Sequence, residues 1–284
     1  MSNRPRPTKL PWRDRAGRLM PLKLLVFASL PVPGAVLAIA LATDALGPRQ
    51  VNALIHWTGL WTIRLLLLSL AVTPLRAVLD WPKLPIVRRM IGVGALAYGV
   101  THLSLYIVDQ NVRLVHVAAE IASRFYLTIG FVALMGLASL GATSTDAAVR
   151  RMGRNWNRLH WLAYPIGVLA AWHAALQSKA NISEALLMSG LFVWLMLFRL
   201  LPPAVRLRPS VLVSLALAAT AATAGIEYSW YALATHIPPD RVFAANFDLA
   251  YPPSPAGWVL LVTLIVAIAG ALRNRRPRMA TRPA

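Results

Sequence analysis

Residues 51–72 read VNALIHWTGLWTIRLLLLSLAV, a run in which Arg64 is the only Lys, Arg, Asp or Glu. The hydrocarbon core of a bilayer is about 30 Å thick, so a spanning helix needs roughly 20 mostly apolar residues. The run therefore predicts a transmembrane helix, and similar runs lie on both sides of it. The eight predicted spans are Leu22–Leu41, Val51–Val72, Ile91–Val108, Tyr126–Leu140, Leu159–Leu176, Ala185–Leu201, Val211–Thr235 and Gly257–Leu272.

The predicted fold class is all-α, a polytopic transmembrane helix bundle of about eight helices. None of the apolar runs alternates strictly between apolar and polar residues, as the strands of a membrane barrel do. Of the 284 residues, 57% are hydrophobic and 14% are charged, which is too little polar surface for a soluble domain of this length. The chain has no cysteine, which excludes disulfides, thiolate metal sites and iron–sulfur clusters.

The positions of the basic residues predict that both termini are cytoplasmic, because Lys and Arg accumulate in cytoplasmic loops. With the N-terminus inside, 23 of the 29 Lys and Arg residues fall on the cytoplasmic side, five fall outside, and Arg64 lies within a span. The net charge of +19 is therefore mostly a topology signal. Nucleic-acid binding is not predicted, because these cations occupy short loops rather than one folded face.

Histidines inside the predicted spans are the first candidates for function, because ionisable side chains are costly in a bilayer. His102 lies in the outer half of the third span, and His160 and His173 lie near the inner and outer ends of the fifth. The thirteen-residue separation of His160 and His173 corresponds to about 20 Å along a helix. Two heme irons at those depths would form a route across the membrane, since neutral imidazole is a good axial ligand.

Heme binding is not the only role that a histidine can have inside a membrane. Each of these side chains could make a helix–helix hydrogen bond, relay protons or bind a substrate. In a straight helix, the imidazoles of His160 and His173 would also point about 140° apart. Either Pro165 and Gly167 bend the helix between them, or two hemes lie on different sides of it. His116 is predicted to be a solvated residue of an outer loop.

Short motifs occur in a fixed order between residues 50 and 201. They are His56-Trp57-Thr58-Gly59, Leu70-Ala71-Val72-Thr73-Pro74-Leu75, Arg88-Arg89-Met90-Ile91-Gly92, Thr101-His102-Leu103, Arg124-Phe125-Tyr126-Leu127-Thr128-Ile129-Gly130, Leu159-His160 and Trp172-His173. This region resembles the ferric-reductase-like transmembrane domain superfamily, and within it the MsrQ (YedZ) family of heme-binding membrane subunits of the periplasmic methionine sulfoxide reductase system. Phe125 departs from the family pattern, in which a proline is usual at that position.

The resemblance implies a six-helix heme core over residues 22–208, preceded by a basic cytoplasmic leader at 1–21. Residues 209–272 have no counterpart in the short family members and would add two helices with a periplasmic loop, before a basic tail at 273–284. His102, His160 and His173 match the family's heme-ligand positions, and His56 matches a position near the outer heme. The similar depth of His102 and His173 assigns both to an outer heme, which leaves His160 for an inner one.

The resemblance also implies one or two hemes of the b type (heme b) and FMN as cofactors, in a bacterial inner membrane. Electrons would pass from the quinone pool or a cytoplasmic flavin reductase to a periplasmic molybdenum-cofactor reductase that repairs methionine sulfoxide. The chain would then be an electron-transfer subunit rather than a self-sufficient enzyme. The alternatives are a stand-alone transmembrane ferric or metal reductase, and a non-heme membrane transporter or assembly protein.

Two arginines are candidates for binding the anionic heme propionates. Arg88, with its basic neighbours, could serve the inner heme, or could only enforce topology and contact lipid headgroups. Arg64 is predicted to lie a turn or two into its span from the outer side, where it could pair with an outer propionate or snorkel to the interface. Trp156 lies near a span end and is predicted to be an interface anchor.

Overall fold

The computed structural model describes residues 10–14, 16–178, 181–248 and 252–274, and it is helical almost throughout. Part of the predicted leader and the predicted tail from residue 275 onward lie outside these residues. A short 3-10 helix covers Leu84–Val87. The α-helices are α1 (Pro21–Ser29), α2 (Val32–Ala42), α3 (Gln50–Leu79), α4 (Arg88–Asp109), α5 (Leu114–Ser123), α6 (Phe125–Ala142), α7 (Asp146–Met152), α8 (Arg154–His160), α9 (Ala163–Gln177), α10 (Ser183–Leu200), α11 (Pro209–Ala234), α12 (Pro239–Ala245) and α13 (Pro255–Asn274).

The predicted all-α membrane fold is confirmed. Within the described residues, seven helical segments are long and apolar enough to cross a membrane, and they coincide with seven of the eight predicted spans. The first of them is Pro21–Ala42, which α1 and α2 form together. The chain bends between these two helices because Pro31 and Pro33 have no backbone N–H to donate to the preceding turn.

The predicted fifth span, Leu159–Leu176, is not one helix. α8 ends at His160 and α9 begins at Ala163, which leaves a break at residues 161–162. Pro165 lies in the first turn of α9, where a missing backbone N–H costs nothing. The angle of 140° expected for a straight helix between His160 and His173 therefore does not apply.

The chain divides into two compact units. The first unit contains the residues up to Ser69 and Leu84–Ile166, and the second contains Leu70–Lys83 and the residues from Gly167. Within the first unit, α4 packs against α1 and α6, and α5 packs against α6. Glycines permit the close approach, since a methyl group on Gly94 would lie 2.8 Å from Leu30 Cδ2.

The second unit is organised around three mutually packed helices, α10, α11 and α13. A methyl group on Gly190 of α10 would overlap Thr223 Oγ1 of α11 and lie 2.6 Å from Val259 Cγ2 of α13. Thr223 and Thr263 are almost fully buried, and each hydroxyl donates a hydrogen bond of 2.7 Å to a carbonyl oxygen of its own helix. Small residues and internally satisfied hydroxyls are typical of helix contacts in membranes.

Arginines of the second unit satisfy carbonyl groups of α3. Pro74 lies inside α3 and has no N–H, so the carbonyl of Leu70 loses its ordinary helical partner. Arg199 of α10 donates a hydrogen bond to that carbonyl. Near the end of α3, Arg273 of α13 donates to the carbonyls of Ala77 and Val78, at 2.7 and 2.8 Å. In a membrane this pairing is required, because no water can replace the missing partner.

Candidate functional site: two oriented histidines

His102 lies on α4 and its imidazole is held against α3. Its Nδ1 atom is 2.8 Å from the carbonyl oxygen of Ile55. A carbonyl oxygen can only accept, so Nδ1 carries the hydrogen and the lone pair of the neutral ring is on Nε2. The ring fits because residue 59, one turn further along α3, is a glycine, and a methyl group there would lie 2.9 Å from Nδ1 of His102.

His160 is oriented in the same way at the end of α8. Its Nδ1 atom is 3.0 Å from the carbonyl oxygen of Trp156, which again places the lone pair on Nε2. The Nε2 atom is buried and has no hydrogen-bond partner within the described part of the chain. The indole of Trp156 stacks on the imidazole with 3.7 Å between ring centroids. The indole Nε1–H donates a hydrogen bond of 2.9 Å to the carbonyl oxygen of Thr143.

Trp156 is therefore more than the interface anchor that we predict from its position near a span end. It fixes His160 twice, by ring stacking and through its own carbonyl group. The spacing of four residues between Trp156 and His160 is the signal that could have indicated this contact, because side chains four apart on a helix are neighbours.

The two oriented histidines are separated along α4: His160 lies near its first residues, and His102 lies about two thirds of the way along it. The charges of Arg88 and Arg89, the first residues of α4, act on the imidazole of His160. Arg89 also forms a salt bridge of 2.6 Å with Asp146 at the start of α7. His102 follows Arg88 by fourteen residues, which is about 21 Å along the helix axis. The first unit thus presents two separate imidazoles at different depths.

The other predicted site residues have the following places. His56 is exposed on α3 beside Ile55, and Arg88 is half-buried near His160. His173 is half-buried on α9 and belongs to the second unit. His116 is exposed, as expected of a solvated residue, but it lies on α5 and not in a loop, because residues 114–123 form a short apolar helix.

Arg64 lies further from the start of its helix than predicted. It is the fifteenth of the thirty residues of α3, which extends from Gln50 to Leu79, so the prediction of a turn or two is wrong. About 21 Å of helix precede Arg64, and the predicted span, which begins at Val51, already places it more than three turns from the helix start. Its guanidinium group is half-buried and lies 5.2 Å from the ring centroid of Trp61, a cation–π distance.

The two imidazoles of His102 and His160 fit a heme better than a bare metal ion. Among the described residues there is no group of three or more His, Cys, Asp or Glu side chains that could hold a metal. A porphyrin supplies four nitrogens of its own, so an iron needs only one or two imidazoles from the protein. Metal-binding histidines usually donate their second ring N–H to a carbonyl or carboxylate, and His102 and His160 both do so.

Comparisons with known proteins agree with this donor set. Residues 58–171 match a family model described as the ferric reductase like transmembrane component. The heme-binding subunit MsrQ of the protein-methionine-sulfoxide reductase of Xanthomonas campestris is 42% identical over 158 residues, which cover 55% of this chain and 72% of that protein. The MsrQ subunit of Rhodospirillum rubrum is 38% identical over 200 residues, covering 70% of this chain and 93% of that protein. No solved structure matches the chain.

Proposed function

Because this chain belongs to the MsrQ family of heme-binding subunits of protein-methionine-sulfoxide reductase, we propose that it binds heme within the membrane and transfers electrons to such a reductase. The single observation that carries the proposal is the common orientation of His102 and His160. Each donates Nδ1–H to a backbone carbonyl and keeps its lone pair on Nε2, the atom that would bind a heme iron.

Heme, when bound, supplies an iron that accepts and releases one electron, and the residues of this chain hold and orient it. Ile55 and Gly59 fix the ring plane of His102, and Trp156 fixes that of His160. The separation of these histidines along α4 supports two heme sites at different depths. The further expectation that His173 is a heme ligand rests on the sequence and is part of the proposal.

Arginines are proposed to bind the heme propionates. Arg88 is half-buried and close enough to His160 for its charge to act on that ring, which supports a role at the same heme. Arg64 lies mid-way along α3, so a snorkelling side chain would have a long path to either interface. A heme propionate is proposed to bind this guanidinium group at that depth. His56, exposed and adjacent to Ile55, is proposed to lie near the same heme as His102.

Electrons are proposed to enter on the cytoplasmic side from the quinone pool or a flavin reductase. They would leave to a periplasmic molybdenum-dependent methionine sulfoxide reductase. In this arrangement the His160 end of α4 faces the cytoplasm, in agreement with the four arginines at positions 150, 151, 154 and 158. The membrane is proposed to be the bacterial inner membrane, since that is where these donors and this acceptor meet.

This topology requires α9 to cross the membrane. Seven crossings would place the termini on opposite sides, so two cytoplasmic termini require α9 to cross as well. Its fifteen residues extend about 22 Å, which is short for a bilayer core of about 30 Å and implies local thinning. Alkaline phosphatase fused after Asp109 is expected to be active in the periplasm, and the same enzyme fused after Arg273 is expected to be inactive.

The proposal is tested with the purified full-length chain. We expect a Soret band, a b-type α-band on reduction, and two hemes per chain. A quinol or a flavin reductase should reduce the heme, and a periplasmic molybdenum reductase with methionine sulfoxide should reoxidise it. A colourless protein would contradict the proposal and favour a transporter or assembly protein.

FMN is included in the proposal as a second cofactor. Flavin bound without a covalent link is released on denaturation and is measured by its fluorescence. Full reduction of the heme by quinol in a protein that releases no flavin would remove FMN from the electron path.

A stand-alone ferric or metal reductase is the second candidate, because the matching family model is described as ferric-reductase-like. It predicts that membranes containing this chain reduce ferric chelates with no periplasmic protein present. The proposed function predicts that such reduction is slow compared with the turnover of methionine sulfoxide when the periplasmic reductase is added.

A further inference from the structure

A long groove in the first unit is separate from the two histidines. Its volume is about 2240 Å³, and α1, α2 and α4 form most of its walls, with a contribution from α3. The first span packs little against the rest of the chain, since only 11% of the residues in its most apolar 18-residue stretch are buried. Much of the apolar surface that lines the groove is therefore not covered by other side chains of the protein.

The groove is preformed by the bend between α1 and α2. The hydroxyl group of Tyr98 on α4 donates to the carbonyl of Leu30 and accepts from the N–H of Gly34, both at 2.9 Å. These two bonds satisfy the backbone groups that the bend frees and pin the bend to α4. Tyr98 itself lines the groove, so the same contact that shapes the bend also shapes the wall.

One end of the groove is cationic. Arg13, Lys23 and Arg150 line it, and none of them has an acidic partner within ion-pair distance in the part of the chain that is described. The two acids at this end are already engaged: Asp14 pairs with Arg18 at 3.1 Å and Asp146 with Arg89 at 2.6 Å. The unpaired charge at this end is therefore positive.

The rest of the groove is mostly apolar. Its lining continues along the first span from Lys23 to Leu41, eighteen residues or about 27 Å of helix. One leaflet contributes about half of a 30 Å hydrocarbon core, so acyl chains starting at the cationic end would lie mostly against apolar residues. A free phosphate would leave these walls uncovered, and a neutral quinone would leave the cations uncompensated.

We propose that this groove binds an anionic phospholipid, with its phosphate at Arg13, Lys23 and Arg150 and its acyl chains between the first span and α4. Basic pockets between transmembrane helices are suited to such headgroups, because each cation near the membrane surface contributes to binding. The lipid would fill the space that the bend at Leu30 creates and would complete the packing of a span that few side chains cover.

The test is native mass spectrometry of the full chain purified with defined lipids. We expect phosphatidylglycerol to be retained in preference to phosphatidylcholine. At about 1 kcal/mol per cation, the double substitution Lys23→Gln with Arg150→Gln should weaken retention of phosphatidylglycerol roughly 30-fold. The matched control removes two exposed cations outside the groove, Arg113→Gln with Arg241→Gln, and should change retention less than twofold.

A second pair of variants tests the apolar part of the groove. Val93 lines the groove on α4 and is 44% exposed, whereas Val100 on the same helix is 51% exposed and does not line it. Val93→Trp should expel the phosphatidylglycerol and Val100→Trp should not. The proposal is overturned if the wild type retains both lipids equally, if both tryptophan variants behave alike, or if Val93→Trp expels a quinone and leaves phosphatidylglycerol bound. None of these outcomes depends on heme content.

Discussion

The two units of the molecule differ in how their helices are covered. In the second unit, 44% of the residues in the most apolar stretch of α10 are buried, and 28% in those of α11 and of α13. Gly190 allows α10 to contact both of these helices closely. In the first unit, the buried share is 11% for the first span, 17% for the segment that contains α4 and 22% for α6, while α3, which contributes to both units, has 44%. The second unit is thus stabilised by its own side chains, while the first keeps space beside its helices. Space of this kind is what a heme or a lipid needs.

The family resemblance follows the same division. The match to the family model ends at residue 171, and most of it lies in the first unit. α11, α12 and α13 lie entirely beyond it. They pack with each other or with α10, and Arg273 of α13 holds the end of α3. We infer that α11, α12 and α13 contribute to stability, and that heme binding depends on the two oriented histidines of the first unit together with His173 of α9.

The largest expected effect on stability is at Gly190. Gly190→Ala should destabilise the protein by about 3 kcal/mol, because the new methyl group would overlap Thr223 and press on Val259. Thermal unfolding measures this change, and heme per folded chain should stay the same. The control is Gly225→Ala on α11, where a methyl group would meet nothing within 4 Å. Equal stability of the two variants would contradict the tight packing of the second unit.

Arg199 gives the next largest effect. Arg199→Met should cost about 2 kcal/mol, because it leaves the Leu70 carbonyl without its donor beside Pro74. Restoring the backbone donor with Pro74→Ala in the same chain should recover most of the loss. If the double variant is no more stable than Arg199→Met, the arginine does not act through that carbonyl.

Gly59 tests the first unit. Gly59→Ala should turn the His102 ring away from its bond to Ile55, and should weaken binding of the corresponding heme roughly tenfold. Heme titration and the optical spectrum measure the change, while the melting temperature should move little. Gly92→Ala is the matched control, because its methyl group would make only an ordinary contact of 3.6 Å with Ser69. A normal spectrum in Gly59→Ala would show that His102 needs no such space.

Tyr98 gives the smallest effect. Tyr98→Phe removes both hydrogen bonds at the bend and should cost about 1 kcal/mol, as is usual for hydrogen bonds between membrane helices. Hydrogen exchange at Gly34 should increase in this variant, while exchange in α10 should not change. Unchanged exchange at Gly34 would mean that the bend does not depend on Tyr98.

Hydropathy predicts most of this fold, because a membrane span is a local property of about 20 residues. The interruptions of the helices also have local causes, since they lie at or beside Pro31, Pro33 and Pro165. A prediction based on length and apolar content alone does not include them. The depth of Arg64 follows from counting residues along the predicted span, whose start at Val51 is within one residue of the observed start of α3. These features were therefore available in the sequence.

The orientation of His102 cannot be predicted from the sequence in that way. The bond from His102 to Ile55 joins residues 47 positions apart, and it depends on how α4 packs on α3. The groove depends likewise on the bond between Tyr98 and the bend of the first span, 68 residues away. Sequence can indicate that a histidine in a membrane has a function, but packing decides which ring nitrogen is presented.

The central claim is tested most directly by the number of hemes bound by His102→Ala, by His160→Ala and by the double variant. We predict that each single variant keeps one of two hemes and that the double variant keeps none, because the two imidazoles serve separate irons about 21 Å apart along α4. His116→Ala should keep both. If the double variant binds as much heme as either single variant, or if both single variants keep two, the two histidines do not hold separate hemes.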